Sequence, residues 1–74
     1  MNIVKGIFHT IRFMWIGRFG GVINGGNYYL LKTIRVHKNA RFKISNTYLE
    51  KMHKGDLFIV DAKAVFKIIN TTIL

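Results

Sequence analysis

Three histidines, His9, His37 and His53, are the first candidates for proton transfer in this 74-residue chain. A general base needs a partner to orient it. His53 is the best placed, in a polar stretch with Glu50 three residues before it, but the sequence sets no Asp, Glu or second histidine reliably beside it. His9 falls within a helical pattern and His37 at a turn. All three read as structural, and no catalytic residue is assigned. Their spacing is not that of a zinc site, and with no cysteine in the chain there is neither a thiolate ligand nor a disulfide. No metal is expected. Residues 17–27, GRFGGVINGGN, contain five glycines but neither GxGxxG nor the Gly-Lys-Ser/Thr of a phosphate loop, so they read as a link rather than an anion cradle. Twelve Lys and Arg against three acids give a net charge of +9, which favours polyanions or anionic lipid headgroups. The plain counter-reading is solvation, because the cations are spread from Lys5 to Lys67.

The elements that would position these groups follow from a repeat. VHKNARFKISNT (36–47) recurs as VDAKAVFKIINT (60–71), with identity at Val36/Val60, Ala40/Ala64, Phe42/Phe66, Lys43/Lys67, Ile44/Ile68, Asn46/Asn70 and Thr47/Thr71. The copies are thus offset by the distance from Val36 to Val60, which is four hexads of sequence. Within each, a large apolar residue recurs one hexad on (Val36 to Phe42, Val60 to Phe66) and a small one stands four after the valine. Lys54 breaks this rhythm. If residues 49–54 loop outward, the offset falls to three hexads, the perimeter of a triangular coil with one hexad on each side. Val36 would then stack on Val60 and Phe42 on Phe66, as a solenoid requires. A small antiparallel or mixed sheet is the alternative, with strands over 28–36, 40–44, 57–60 and 64–69. In both readings Phe42 faces inward, while Arg41 and Lys43 face out.

Ahead of the repeat, Ile3, Val4, Ile7, Phe8, Ile11, Met14 and Trp15 recur at helical spacing, with Lys5, His9 and Arg12 mainly off the stripe. A helix this short is marginal alone and needs a surface, either a membrane interface or the end of the following β-structure. Its apolar run is too short to span a bilayer and lacks the cleavage site of a secretory signal. The chain thus divides into an amphipathic helix over 1–16, a glycine-rich link over 17–27 and a repeat segment over 28–74.

Val60-Asp61-Ala62-Lys63-Ala64-Val65 fits the hexapeptide motif of left-handed β-helix acyltransferases: aliphatic, small or acidic, two free positions, small, free. Val36–Arg41 fits at Val36 and Ala40 but departs at His37. The chain resembles the N-terminal part of such an enzyme, of the kind that acetylates sugars in surface polysaccharide synthesis. The resemblance implies a mainly β fold, a short N-terminal amphipathic helix followed by about two coils of left-handed parallel β-helix. It also implies transfer of an acetyl group from acetyl-CoA to a sugar hydroxyl, a homotrimeric assembly and a cytoplasmic place at the inner membrane. The family's catalytic histidine comes from later coils, so the chain alone is expected to bind no cofactor and to be inactive. The alternative is a small basic protein of a membrane surface. Nucleic acid is the weaker partner, because Phe42 and Phe66 alternate away from Lys43 and Lys67 and share no face with them.

Overall fold

The computed structural model describes residues 3–74. Helix α1 (Ile3–Phe19) leads into eight short strands: β1 (Gly21–Asn24), β2 (Asn27–Leu30), β3 (Ile34–Val36), β4 (Arg41–Ser45), β5 (Tyr48–Lys51), β6 (Phe58–Val60), β7 (Val65–Ile69) and β8 (Thr72–Ile73). Each strand pairs with the one three further along the chain, giving the sheets β1-β4-β7, β2-β5-β8 and β3-β6. Every pairing is parallel. Parallel neighbours need a long crossover, and here the crossover is the rest of a three-sided coil. The fold is that of a left-handed parallel β-helix entered from a helix, not an antiparallel or mixed sheet. Val36 lies in register with Val60, and Phe42 with Phe66.

The coil is longer than the three hexads expected of it. Phe42 pairs with Gly21 on one side and with Phe66 on the other, so both windings exceed that perimeter, the second by more than the first. Residues 49–51, expected to begin an outward loop, lie instead in β5 (Tyr48–Lys51), and the slack lies at residues 52–57. Expected as a single strand over 28–36, the chain instead breaks into β2 and β3 around a corner at 31–33. The helix, expected over 1–16, runs on to Phe19; Met1 and Asn2 lie outside the described residues. Within the stretch read as a link, Gly21–Asn24 form the first strand. Gly20, at φ +90°, ends the helix by donating its N–H to the Ile16 carbonyl at 2.7 Å, a left-handed C-cap.

Corners repeat from coil to coil. Asn46 and Asn70 both turn the chain at positive φ, and the Gly25 corner of the first coil does the same. Asparagine tolerates this region because its short amide bonds locally. Here the amides also ladder between coils: Asn70 Nδ2 donates to Asn46 Oδ1 at 2.7 Å and Asn46 Nδ2 to Asn24 Oδ1 at 3.0 Å. Beside them, Thr47 and Thr71 each donate a hydroxyl to the carbonyl two residues back.

The core is a stack of inward side chains: Ile23, Leu30, Ile34, Val36, Phe42, Ile44 and Leu49 are fully or almost fully buried. Gly21, in register with Phe42, contributes no side chain to the stack. Phe13 of α1 supplies the ring instead, wholly buried with its centroid 5.7 Å from Phe42, which in turn lies 5.6 Å from Phe66. The helix therefore closes the first coil as a plug. Its buried stripe is Gly6, Thr10, Phe13 and Gly17, three of them small, so its backbone comes close to the coil. A Cβ on Gly17 would collide with the Arg35 carbonyl oxygen.

Candidate functional site

Apart from Phe13 and the partly buried Ile16, the large apolar residues of α1 point away from this contact. Phe8, Ile11, Trp15 and Phe19 occupy the face opposite Thr10 and Phe13, with Phe8 66% and Trp15 60% exposed; Ile3 and Ile7 lie open beside them. The geometry is forced. Phe8 and Trp15 each stand two residues from a buried position (Gly6 or Thr10, Phe13 or Gly17), which at about 100° per residue puts them on the far side. Helix packing across the end of the β-structure is thus formed, but not by the stripe that the spacing singled out. An exposed hydrophobic face remains on an element already docked. Among the described residues no helix is long and apolar enough to cross a membrane.

Basic side chains border this face. Arg12 reaches back to Tyr28, its Nη1 donating to the phenol oxygen at 3.4 Å and its guanidinium lying 5.8 Å from the ring centre. Arg18 lies 5.7 Å from the centre of the Phe19 ring, and that ring lies 5.2 Å from Trp15. Where the helix passes over the corner before β3, a groove of about 420 Å³ opens between Ile11, Met14, Trp15 and Phe19 on one side and Lys32 and Arg35 on the other. Asp61 engages Arg35 through both carboxylate oxygens at 2.9 and 3.1 Å. Arg18 and Lys32 have no carboxylate partner among the described residues.

Among the described residues, none of the three histidines meets an acid. His9 Nδ1 accepts the Tyr29 N–H at 3.1 Å, and its ring stands edge-on to Tyr28 and stacked on Tyr29. Burial, then the charges of Lys5 and Arg12, hold its pKa below the usual 6.5, so a neutral ring is favoured. His37 gives its backbone N–H to the Gly17 carbonyl at 2.8 Å. His53 Nδ1 accepts from the Gly55 N–H at 3.0 Å, while its Nε2 is buried without a partner. Among the described residues no three His, Cys, Asp or Glu side chains gather as a metal-binding group.

His9 and Thr10 together do work that the sequence did not reveal. The Tyr29 and Leu31 N–H groups point off the first coil, away from the second, and are accepted by His9 Nδ1 and by Thr10 Oγ1 at 3.0 Å. Thr10 passes its own proton to the Gly6 carbonyl at 2.6 Å. With the His37 N–H taken by Gly17, the helix blunts an edge that would otherwise recruit other strands. Gly6, Thr10 and Gly17 at helical spacing were the available signal. On the β1-β4-β7 sheet, Lys43 and Lys67 stand side by side on the outer face while Phe42 and Phe66 point inward. Base and ring do not share a face there.

The fold and the exposed helix define a β-helix segment capped at one end and apolar on the back of its cap. No family model, curated protein or solved structure gives a significant match to the chain.

Proposed function

We propose that the chain is a β-helix scaffold that docks on an anionic membrane surface through the outer face of α1. The observation carrying this is the exposure of Phe8, Ile11, Trp15 and Phe19 on a helix whose other face is already buried, so that packing within the chain does not account for them. A basic amphipathic helix with Trp and Phe on its apolar side lies in the headgroup region of a bilayer. The net charge of +9 adds attraction to anionic lipid. This reading puts the chain at the inner face of the membrane, as a peripheral protein.

A second reading, from the hexad resemblance, makes the chain a partial acetyltransferase-like protein. Its relatives in kind would move an acetyl group from acetyl-CoA to a sugar hydroxyl, with catalysis and trimer contacts supplied by coils beyond these. The parallel stack of Val36 on Val60 and Phe42 on Phe66 favours it. Both readings are compatible, one naming the place and the other the ancestry of the scaffold.

Co-sedimentation with vesicles tests the first. The wild-type chain is expected to bind phosphatidylglycerol-rich vesicles and to release at high salt. Replacing Ile7 and Phe8 by serine removes about 1.5 kcal/mol or more of apolar transfer at each position, so binding should fall by roughly a hundredfold. Circular dichroism should not change, because neither side chain is buried. Equal binding by the double variant, or none by the wild type, overturns the proposal.

A further inference from the structure

The groove beside α1 differs from the flat apolar face in having two walls of different chemistry. Ile11, Met14, Trp15 and Phe19 make the helix side largely apolar, with Arg18 of the same helix among them, and Lys32 lines the other side. No acidic side chain lines it among the described residues. Its size, about 420 Å³, falls within the range of small-ligand pockets, about 300–1,000 Å³. Arg35 is already committed to Asp61, which leaves Arg18 and Lys32 as the cations without a carboxylate partner among the described residues. A free phosphate would gain nothing from the apolar wall, and a neutral chain would gain nothing from the two cations.

We infer that this groove holds one anionic amphiphile, a single alkyl chain bearing a phosphate headgroup, taken from the lipid on which α1 rests. The chain lies along Met14 and Trp15, and the phosphate meets Lys32 and Arg18. The source of the ligand rests on the docking reading above, but binding in the groove needs no bilayer. The two are therefore separable.

The protein's single tryptophan, Trp15, stands in the groove wall and reports its filling. The experiment is a titration of Trp15 emission with n-dodecyl phosphate kept monomeric, beside dodecyl maltoside and inorganic phosphate as the chain and the charge alone. The expected result is a saturable blue shift with dodecyl phosphate, one per protein, and affinity at least about tenfold weaker for either fragment. Lys32→Glu should weaken it by about tenfold or more, whereas Lys38→Glu, the same charge change outside the groove, should leave it within about twofold. The Ile7→Ser/Phe8→Ser variant should keep dodecyl phosphate binding while losing vesicles. Maltoside binding as tightly as the phosphate, or equal weakening by Lys32→Glu and Lys38→Glu, overturns the inference. Loss of vesicle binding by the wild type with retention of dodecyl phosphate would sink the docking proposal and leave the groove standing.

Discussion

Lys63 turns the chain at φ 67°, the conformation that Asn39 adopts at the corresponding corner of the preceding coil at φ 68°. A lysine gains nothing there: its side chain has no short amide to bond back, and the left-handed region costs an ordinary residue roughly 1 kcal/mol or more. Lys63→Asn is therefore expected to stabilise the fold by up to about 1 kcal/mol, read as a higher midpoint of chemical denaturation. An unchanged or lower midpoint would mean that the corner is not strained. The same reasoning explains which residues were readable. Asn46 and Asn70 announce a corner because their type matches the backbone they adopt. Lys63 does not, and only its place in the repeat, opposite Asn39, reveals what it is doing.

Among the elements, the helix is where reading from sequence and folded position diverge most. Large apolar residues at helical spacing suggest a buried stripe, but burial here went to Gly6, Thr10 and Gly17, because the helix must come close enough for backbone and short side chains to take the first coil's N–H groups. Hydrophobic periodicity finds the amphipathic element and not which side docks. Likewise β1 was hidden by glycines that serve the helix cap and the corner, with Ile23 buried between them. The strands of the repeat were legible because identical inward residues, Val36/Val60 and Phe42/Phe66, stack in register. The cap also predicts a pH dependence. The unfolded chain takes up a proton at His9 near the ordinary pKa of 6.5, the folded chain only at lower pH. Between those values the unfolded state binds more protons, so this contribution to stability rises with pH and is lost on acidification. Thermal unfolding followed from about pH 7.5 to about pH 5.5 should show a falling Tm, and His9→Asn, which keeps an acceptor for Tyr29, should flatten the slope. A slope unchanged by His9→Asn would assign the dependence elsewhere.

At the scale of the molecule, the two ends of the β-helix are unlike. One is closed by Phe13 and by the helix acceptors. At the other, Val60, Ile68, Ile69 and Ile73 are exposed, and Phe58 and Phe66 are only partly covered. In a solenoid each coil is stabilised by its neighbours, and the outermost is the weakest. Amide hydrogen exchange should follow this order. The amides of β4 and β5, flanked on both sides, are expected to exchange at least about a hundredfold more slowly than those of β7 and β8. The capped strand β2 should behave like the middle coil, and uniform protection from β2 to β8 would refute the gradient. Among the described residues β6, β7 and β8 are the last strands of their sheets, so theirs is the edge along which a further coil or another strand would pair.

The first two coils differ in length at one corner alone. Leu31–Thr33 make the passage from β2 to β3, while the longer stretch 52–57 makes the same passage from β5 to β6, and the strands on either side keep their partners. Thr33 Oγ1 donates to the Asp56 carbonyl at 2.5 Å, tying the longer passage back onto the shorter one. That corner acts as an expansion joint: the winding takes up or releases chain there without transmitting the change along the axis, while the Asn24–Asn46–Asn70 corner, locked by its amides, fixes the pitch. Evolution or an engineer lengthening this protein sideways would find its splice point between Met52 and Leu57.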